Sequence, residues 1–368
     1  MRPPAPAATI RAHPRTVIDL GSAAVHAAET EPRAPLRHAT LDRHEPGAAY
    51  DAAEAASIVR ALRRRGLRCE RLHLIAPKRS IQALPVDLPP PESEAPAEDI
   101  AACRVADMLE IEQGTFETAI TTRAPGGAAR RSSTVAACRH ADAAALIEAF
   151  EQAGPRVAAL VAPAAALIAA AYRAAPPAEP HHARVVVDVG WRDATTVAIR
   201  GGRPAFERHL RKLGFARVAD QLEADVCGDA ELAHWIARRG HRGHLPLAER
   251  AVGAIRPYGI DLVREIEATA VYFEELAGPD AVRDVLVAGG GAADPELMDW
   301  LDANLWLPTR RLADDLHADT TAPSPVTPAA QAADYGDARL AGIFARWGTG
   351  GFFGLFVTFV AGALASQD

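Results

Sequence analysis

The stretch that decides the fold is Thr16-Val17-Ile18-Asp19-Leu20-Gly21-Ser22, an apolar run ending in an aspartate two residues before a glycine. Alternation through residues 15–30 predicts two strands of a hairpin around Gly21-Ser22. The pattern returns at Val185-Val186-Val187-Asp188-Val189-Gly190, and a third glycine cluster closes Val285-Leu286-Val287-Ala288-Gly289-Gly290-Gly291. An aspartate at the end of a buried strand, followed by glycine, sets a carboxylate beside backbone N–H groups that no side chain shields. Two such turns facing each other make a place for a nucleotide's phosphates and their magnesium ion. Bare backbone at the third cluster, which opens a helix from Pro295, can lie flat against a base or ribose. One Asp-x-Gly is an ordinary turn, whereas three glycine turns in this order and spacing form a pattern.

That arrangement resembles the actin-like ATPase superfamily of actin, the Hsp70 ATPase domain and the sugar kinases, with two phosphate motifs and one adenosine motif. Within it the chain is most similar to PilM, the cytoplasmic actin-like protein of type IV pilus assembly, and is related to FtsA and the GspL cytoplasmic domain. Arg203-Pro204-Ala205-Phe206-Glu207-Arg208-His209-Leu210 resembles that family's g-x-x-x-F-x-R-x-l. Val263-Arg264-Glu265-Ile266 through Tyr272-Phe273 resembles its helix before the adenosine motif, and Ser133-Thr134-Val135-Ala136-Ala137-Cys138-Arg139 a strand of its inserted subdomain. The resemblance runs from about Arg15 to the C-terminus. It implies a two-lobed α/β fold, actin-like and ribonuclease H-like, with an inserted α+β subdomain.

The same resemblance implies a site and its cofactors, ATP and Mg²⁺. Asp19 and Asp188 would hold the metal through water, since magnesium keeps several waters and accepts few carboxylates. Gly21, Ser22 and Gly190 would meet phosphate, Glu265 would reach the ribose, and Gly289, Gly290 and Gly291 would line the adenosine. The second turn departs from the family, because Trp191-Arg192-Asp193-Ala194 stands where small residues and Thr are usual. There Trp191 would crowd phosphate, Asp193 would repel it, and Arg192 would supply charge. Relatives place a polar residue on the element linking the lobes to orient the attacking water. The matching stretch, Val157 to Ala166, holds no carboxylate, amide or histidine, so no catalytic residue is assigned and ATP hydrolysis is expected to be slow or absent.

Composition narrows the classes further. With 368 residues, 49% hydrophobic and 24% charged, the chain reads as an ordinary globular protein of two or three domains. A net charge of −7 argues against a nucleic-acid partner. Lysine is nearly absent, with Lys78 and Lys212 alone among 40 Lys and Arg, which reads as coding bias. Four scattered cysteines (Cys69, Cys103, Cys138, Cys227) fit a reducing compartment. His181-His182 and the His241/His244 pair lack carboxylate or thiolate partners, so no histidine metal site is expected.

Along the chain the expected units are a disordered N-terminus at 1–14, a first lobe at 15–77, an inserted subdomain at 78–153, and the first lobe's second part with the inter-lobe element at 154–180. The second lobe follows at 181–368. Helices are expected near 51–65, 100–112 and 142–153, and strands at 72–76, 116–122 and 133–138. The acidic, proline-rich stretch 85–99 reads as a break, 176–180 as a stiff linker and 319–337 as a mobile loop. The apolar 352–365 segment is shorter than a membrane span and reads as a closing core helix, with a membrane-contacting tail and a membrane anchor as the alternatives.

By resemblance, the protein would sit in the cytoplasm, peripheral at the inner membrane. Its partner would be the N-terminal cytoplasmic peptide of a PilN-like inner-membrane protein, docked between the first lobe and the insertion. Other pilus or secretion components, and self-association, complete the expected partners. A GspL-like secretion protein, a nucleotide-free scaffold and a small-molecule kinase are the alternatives.

Overall fold

The computed structural model describes residues 15–30, 37–89, 94–122, 132–174, 182–200, 203–239, 245–278 and 281–312. The expectations for residues 1–14, 176–180, 319–337 and 352–365, and for His181, His241 and His244, lie outside the described residues.

The first lobe opens with β1 (Arg15–Leu20), β2 (Ala24–Thr30) and β3 (Arg37–Asp42), then α1 (Ala52–Arg64) and β4 (Arg71–Ile75). A 3₁₀ turn, Lys78–Ser80, leads into an insertion of β5 (Ile81–Asp87), α2 (Ala97–Leu109), β6 (Phe116–Thr122) and β7 (Ser132–Arg139). The chain then returns through α3 (His140–Gln152), β8 (Arg156–Val161) and α4 (Pro163–Ala174). The second lobe contains β9 (Ala183–Val189), β10 (Ala194–Arg200), β11 (Arg203–Leu210), α5 (Ala216–Leu222), α6 (Ala230–Arg239) and α7 (Leu245–Ala277). It ends, among the described residues, with β12 (Val282–Ala288), α8 (Pro295–Asn304) and β13 (Thr309–Arg311).

One five-stranded sheet runs in the order β3-β2-β1-β4-β8 and the other β11-β10-β9-β12-β13. In both, two antiparallel hairpins lead to a central aspartate-bearing strand whose other neighbour is parallel. The protein therefore has the two-lobed actin-like fold. The central strands are nearly continuous apolar runs because both of their faces are covered: Val185, Val186, Val187 and Val189 are all buried. Asp51 caps α1 by accepting from the Glu54 N–H at 2.7 Å, and Asp294 caps α8 by accepting from the Leu297 N–H at 3.0 Å.

The third sheet, β5-β7-β6, corrects the reading of Pro85 as a break. Pro85 lies inside β5 opposite Thr134, on an edge strand, where a missing N–H costs no ladder bond on the open side. This sheet packs against β11 of the second lobe. Helix α3 buries Ala143, Leu146 and Phe150 in the same core as Ile58 and Leu62 of α1.

Helix α4 lies between the two large sheets. Its Ala166 packs with Val17, Ile75 and Val161 of the first lobe. Its Ala164, Leu167, Ile168 and Ala171 pack with Val186, Val197 and Leu286 of the second. Small side chains let a helix approach two sheets at once, and a polar side chain at Ala164 or Ala171 would be buried.

Candidate functional site

The two Asp-x-Gly turns meet across the cleft between the lobes. In the first, Asp19 ends β1 and stands in register with His26 of β2 on one side and Ile75 of β4 on the other. Burial, reinforced by Asp188 and opposed by Lys78, pushes the Asp19 carboxyl up to about 7. The turn is tied down by its carbonyls. The Tyr50 hydroxyl donates to the Gly21 carbonyl at 2.6 Å, and the Gly47 N–H donates to that of Ser22 at 2.6 Å. Beneath them the Arg43 guanidinium pairs with Glu54 at 2.6 Å and stacks 3.9 Å from the Tyr50 ring. Residues 43–50 thus form a strap over the first turn.

The second turn is closed by its own hairpin: the Gly190 N–H donates to the Asp193 carbonyl at 3.0 Å. Its carbonyls are also taken, since Phe215 N–H donates to Gly190 at 2.9 Å and Ala216 N–H to Trp191 at 2.7 Å. Trp191 turns away from the cleft and packs edge-on against Phe215 and His234. Arg192 crosses to the first lobe, where it donates to the Pro46 carbonyl at 3.2 Å and fills the space beside Gly47. Gly47 has φ +81, and a side chain there would collide with that guanidinium. Arg79 grips the same strap, donating to the carbonyls of Gly47 at 2.9 Å and Ala48 at 2.7 Å.

Between the turns stands a residue the sequence reading did not select. Lys78 Nζ lies 2.9 Å from Asp188 Oδ2 and 3.4 Å from Asp193 Oδ1, and donates to the Asp188 carbonyl at 3.3 Å. Burial alone would lower its pKa, but the Asp188 and Asp193 carboxylates more than reverse this and hold it above the ordinary lysine value. Asp193 also faces His209 at 3.7 Å, whose other ring nitrogen lies 3.3 Å from the Thr195 hydroxyl. Burial, offset in part by Asp193, lowers the His209 pKa. Glu207, on β11, is pushed up to about 7 by burial against the pull of Lys78. The one signal for Lys78 was its rarity, as one of two lysines in an arginine-rich chain.

The third glycine cluster sits beside Asp188, in register with Ala288. Gly289 has φ +83, and a methyl there would run into the Asp188 carboxylate and lie 2.5 Å from the Val189 carbonyl oxygen. A methyl on Gly291 would lie 2.9 Å from Val189 Cβ, whereas Gly290 meets nothing within 4 Å. Two of the three glycines are thus needed by the protein's own packing, and Gly290 alone borders open space. Glu265, on α7, pairs with Arg208 at 2.6 Å. Its hydroxyl-reaching role would require leaving that partner.

Magnesium with a nucleotide can be tested against these groups. Two aspartates from opposite lobes are suitable ligands in chemical type. In this arrangement, however, they do not fit a metal–nucleotide. The ammonium of Lys78 already neutralises Asp188, the strap covers the first turn, and the Gly190 N–H is already bonded. No cluster of three or more His, Cys, Asp or Glu suited to a metal occurs among the described residues. No described helix is long and apolar enough to cross a membrane.

No family model matches the chain, and no curated protein matches it. Solved structures do. The PilM–PilN type IV pilus biogenesis complex aligns over 82% of this chain and 89% of its own, at 20% identity and TM-score 0.62. The ethanolamine utilization protein EutJ from Carboxydothermus hydrogenoformans aligns over 83% and 86%, at 15% identity and TM-score 0.51. The cytoplasmic domain of EpsL, from the type II secretion system of Vibrio cholerae, aligns over 62% and 79%, at 9% identity and TM-score 0.36, and carries no argument below. The first two likenesses support the actin-like fold.

Proposed function

We propose that this chain is a PilM-like component of type IV pilus or related secretion machinery. In that role it binds the N-terminal cytoplasmic peptide of a PilN-like inner-membrane protein and works beside the membrane as a scaffold. The supporting observation is the likeness to a chain of a PilM–PilN type IV pilus biogenesis complex along 82% of this chain. The insertion of a small sheet between β4 and β8, on the lobe that carries the strap, suits the same reading. The unit of interest is the β5–β7 part of the expected 78–153 insertion, whose sheet leaves the edges of β5 and β6 outermost, since α3 packs in the first-lobe core.

The nucleotide cleft, on this reading, is degenerate: ATP with Mg²⁺ binds weakly or not at all and is hydrolysed slowly or not at all. The apolar inter-lobe stretch supports this, because Val161, buried at the end of β8, and Pro163 stand where the resembled family carries acids. Steady-state ATP turnover that Asp188→Ala abolishes would contradict it.

The peptide reading is tested by fluorescence anisotropy of the full chain with a labelled synthetic peptide, the cytoplasmic N-terminus of the host's PilN-like protein. Saturable binding at micromolar Kd or tighter, roughly −8 kcal/mol, is expected. A scrambled peptide binding equally well, or no saturation at all, sinks the pilus reading.

A further inference from the structure

The first lobe's sheet has two ends, and the cleft occupies one of them. At the other end α1 stops and β3, β4 and β8 begin, and each of the four brings arginine. The α1 terminus supplies Arg60, Arg63, Arg64 and Arg65, all exposed. A methyl on Gly154, in the turn before β8, would lie 3.8 Å from the Arg63 guanidinium, so this terminus borders the start of β8. Arg37, which opens β3, donates to the Gly66 carbonyl at 2.9 Å, and Arg65 to the Thr40 carbonyl at 2.6 Å. These neutral acceptors fix the side chains and leave their charge in place. Arg71 and Arg156 open β4 and β8 and stand in register on the two neighbouring strands. Ile75, level with Asp19 of the cleft, is about 13 Å further along β4.

The fold itself gives only part of the reason for this clustering. The helix dipole favours cations in the last turn of α1, where Arg63 and Arg64 lie, but it does not reach the strand starts. Like charges side by side on a sheet cost stability, as at Arg71 and Arg156. Among the described residues, Arg60, Arg63, Arg64, Arg71 and Arg156 make no ion pair. Glu29 is buried and faces Arg68 at 3.7 Å, and Glu151 accepts from the Val157 N–H at 3.0 Å. The large exposed apolar side chains of the described residues lie elsewhere, Met108 on the insertion and Leu232, Val252, Ile260, Val271 and Trp306 on the second lobe. The arginine end therefore offers no described anchor for a protein pocket and no ring for a base to stack on. The whole chain carries a net charge of −7, so an anionic plane would attract this end and repel the rest.

We propose that this arginine-rich end is a docking surface for anionic lipid headgroups, holding the first lobe against a bilayer with the cleft on its far side. The contact is electrostatic, guanidinium to headgroup phosphate, and inserts nothing into the acyl layer. It rests on the membrane-side part of the proposed function and is independent of the peptide.

The test is co-sedimentation of the full chain with vesicles of equal parts phosphatidylglycerol and phosphatidylcholine, against vesicles of phosphatidylcholine alone. Binding to the first and not the second, weakening as salt is raised, is expected. Arg60→Gln, Arg64→Gln and Arg71→Gln together are expected to weaken it about a hundredfold, since each basic side chain near an anionic surface contributes about a factor of five. A control removing equal charge from exposed sites elsewhere, Arg104→Gln with Arg264→Gln and Arg283→Gln, is expected to bind as wild type. Equal losses in the two variants, or no preference of the wild type for anionic vesicles, overturn the proposal. So does binding of a DNA duplex that the first variant loses while vesicles stay unbound, which would make this end a nucleic-acid site. If the first variant does not fold, the wild-type contrast between the two vesicles decides. Vesicle binding without peptide binding strikes only the pilus reading, and the reverse strikes only this inference.

Discussion

The two lobes are the same sheet built twice, and they differ most just beyond the strand beside the aspartate. Asp19 stands in register with Ile75 of β4, and Asp188 with Ala288 of β12. After those positions the first lobe reads Ala76-Pro77-Lys78 and the second Gly289-Gly290-Gly291. The glycines give Asp188 room, and the lysine of the opposite lobe gives it a cation at 2.9 Å. At Asp19 burial and the Asp188 charge outweigh the pull of Lys78, and its carboxyl is pushed up to about 7. Topology therefore duplicates the carboxylates, while three residues per lobe give them different surroundings.

The sharpest way to break this comparison is to make the second lobe resemble the first at its first differing position. Gly289→Ala forces a methyl into φ +83, ψ 179, a region essentially reserved for glycine, and into contact with the Asp188 carboxylate and the Val189 carbonyl. A loss of about 3 kcal/mol or more is expected from strain and overpacking together. A urea titration measures it, and a loss under about 1 kcal/mol, the low end of such strain, would mean that the two strand ends are not different in the way described.

A smaller effect follows from removing the paired aspartate's charge. Asp188→Asn leaves Lys78 with the Asp193 carboxylate, 3.4 Å away. Breaking a fully buried pair costs about 3–5 kcal/mol, and partial exposure and the surviving partner reduce the expected loss to about 2. The same substitution at Asp19 is expected not to destabilise at neutral pH. Equal losses at the two sites, in parallel urea titrations, would erase the distinction between a paired and an unpaired carboxylate.

How much of this was legible in the sequence differs between fold and site. The Asp19 and Asp188 strands, the hairpins and the β6–β7 pair follow from local burial patterns, and local patterns survive in a single chain. Strand β5 did not, because Pro85 speaks against a strand until the sheet order shows it on an edge. Lys78 has no periodicity to betray it, and its partner Asp188 lies 110 residues away. Arg192 was read as a charge for phosphate, but tertiary packing sends it to the Pro46 carbonyl of the opposite lobe. The glycine cluster was legible as a cluster, yet its reason was not: Gly289 and Gly291 answer to Asp188 and Val189 of the neighbouring strand.

The subtlest difference between the turns is one of protons. An aspartate titrates near 3.8 when unperturbed, and folded Asp19 titrates at about 7. Between those values the folded chain holds a proton that the unfolded chain has released, so this group's contribution to stability falls as pH rises from about 4 to about 7. Glu207, also pushed up to about 7, slopes the same way. His26, opposite Asp19 and lowered by burial, slopes the other way in its own range. Comparing Asp19→Asn with wild type cancels those shared slopes. At pH 4 the two chains are expected to unfold alike, since a protonated carboxyl and an amide are close in shape and charge. At pH 8 the asparagine chain is expected to be more stable by about 1–2 kcal/mol, a figure discounted from the full shift because the side chain keeps some contact with water. The check is thermal or urea unfolding at both values. A variant less stable than wild type at pH 8 would mean that Asp19, too, has a cation to answer it, and the two turns would then be alike after all.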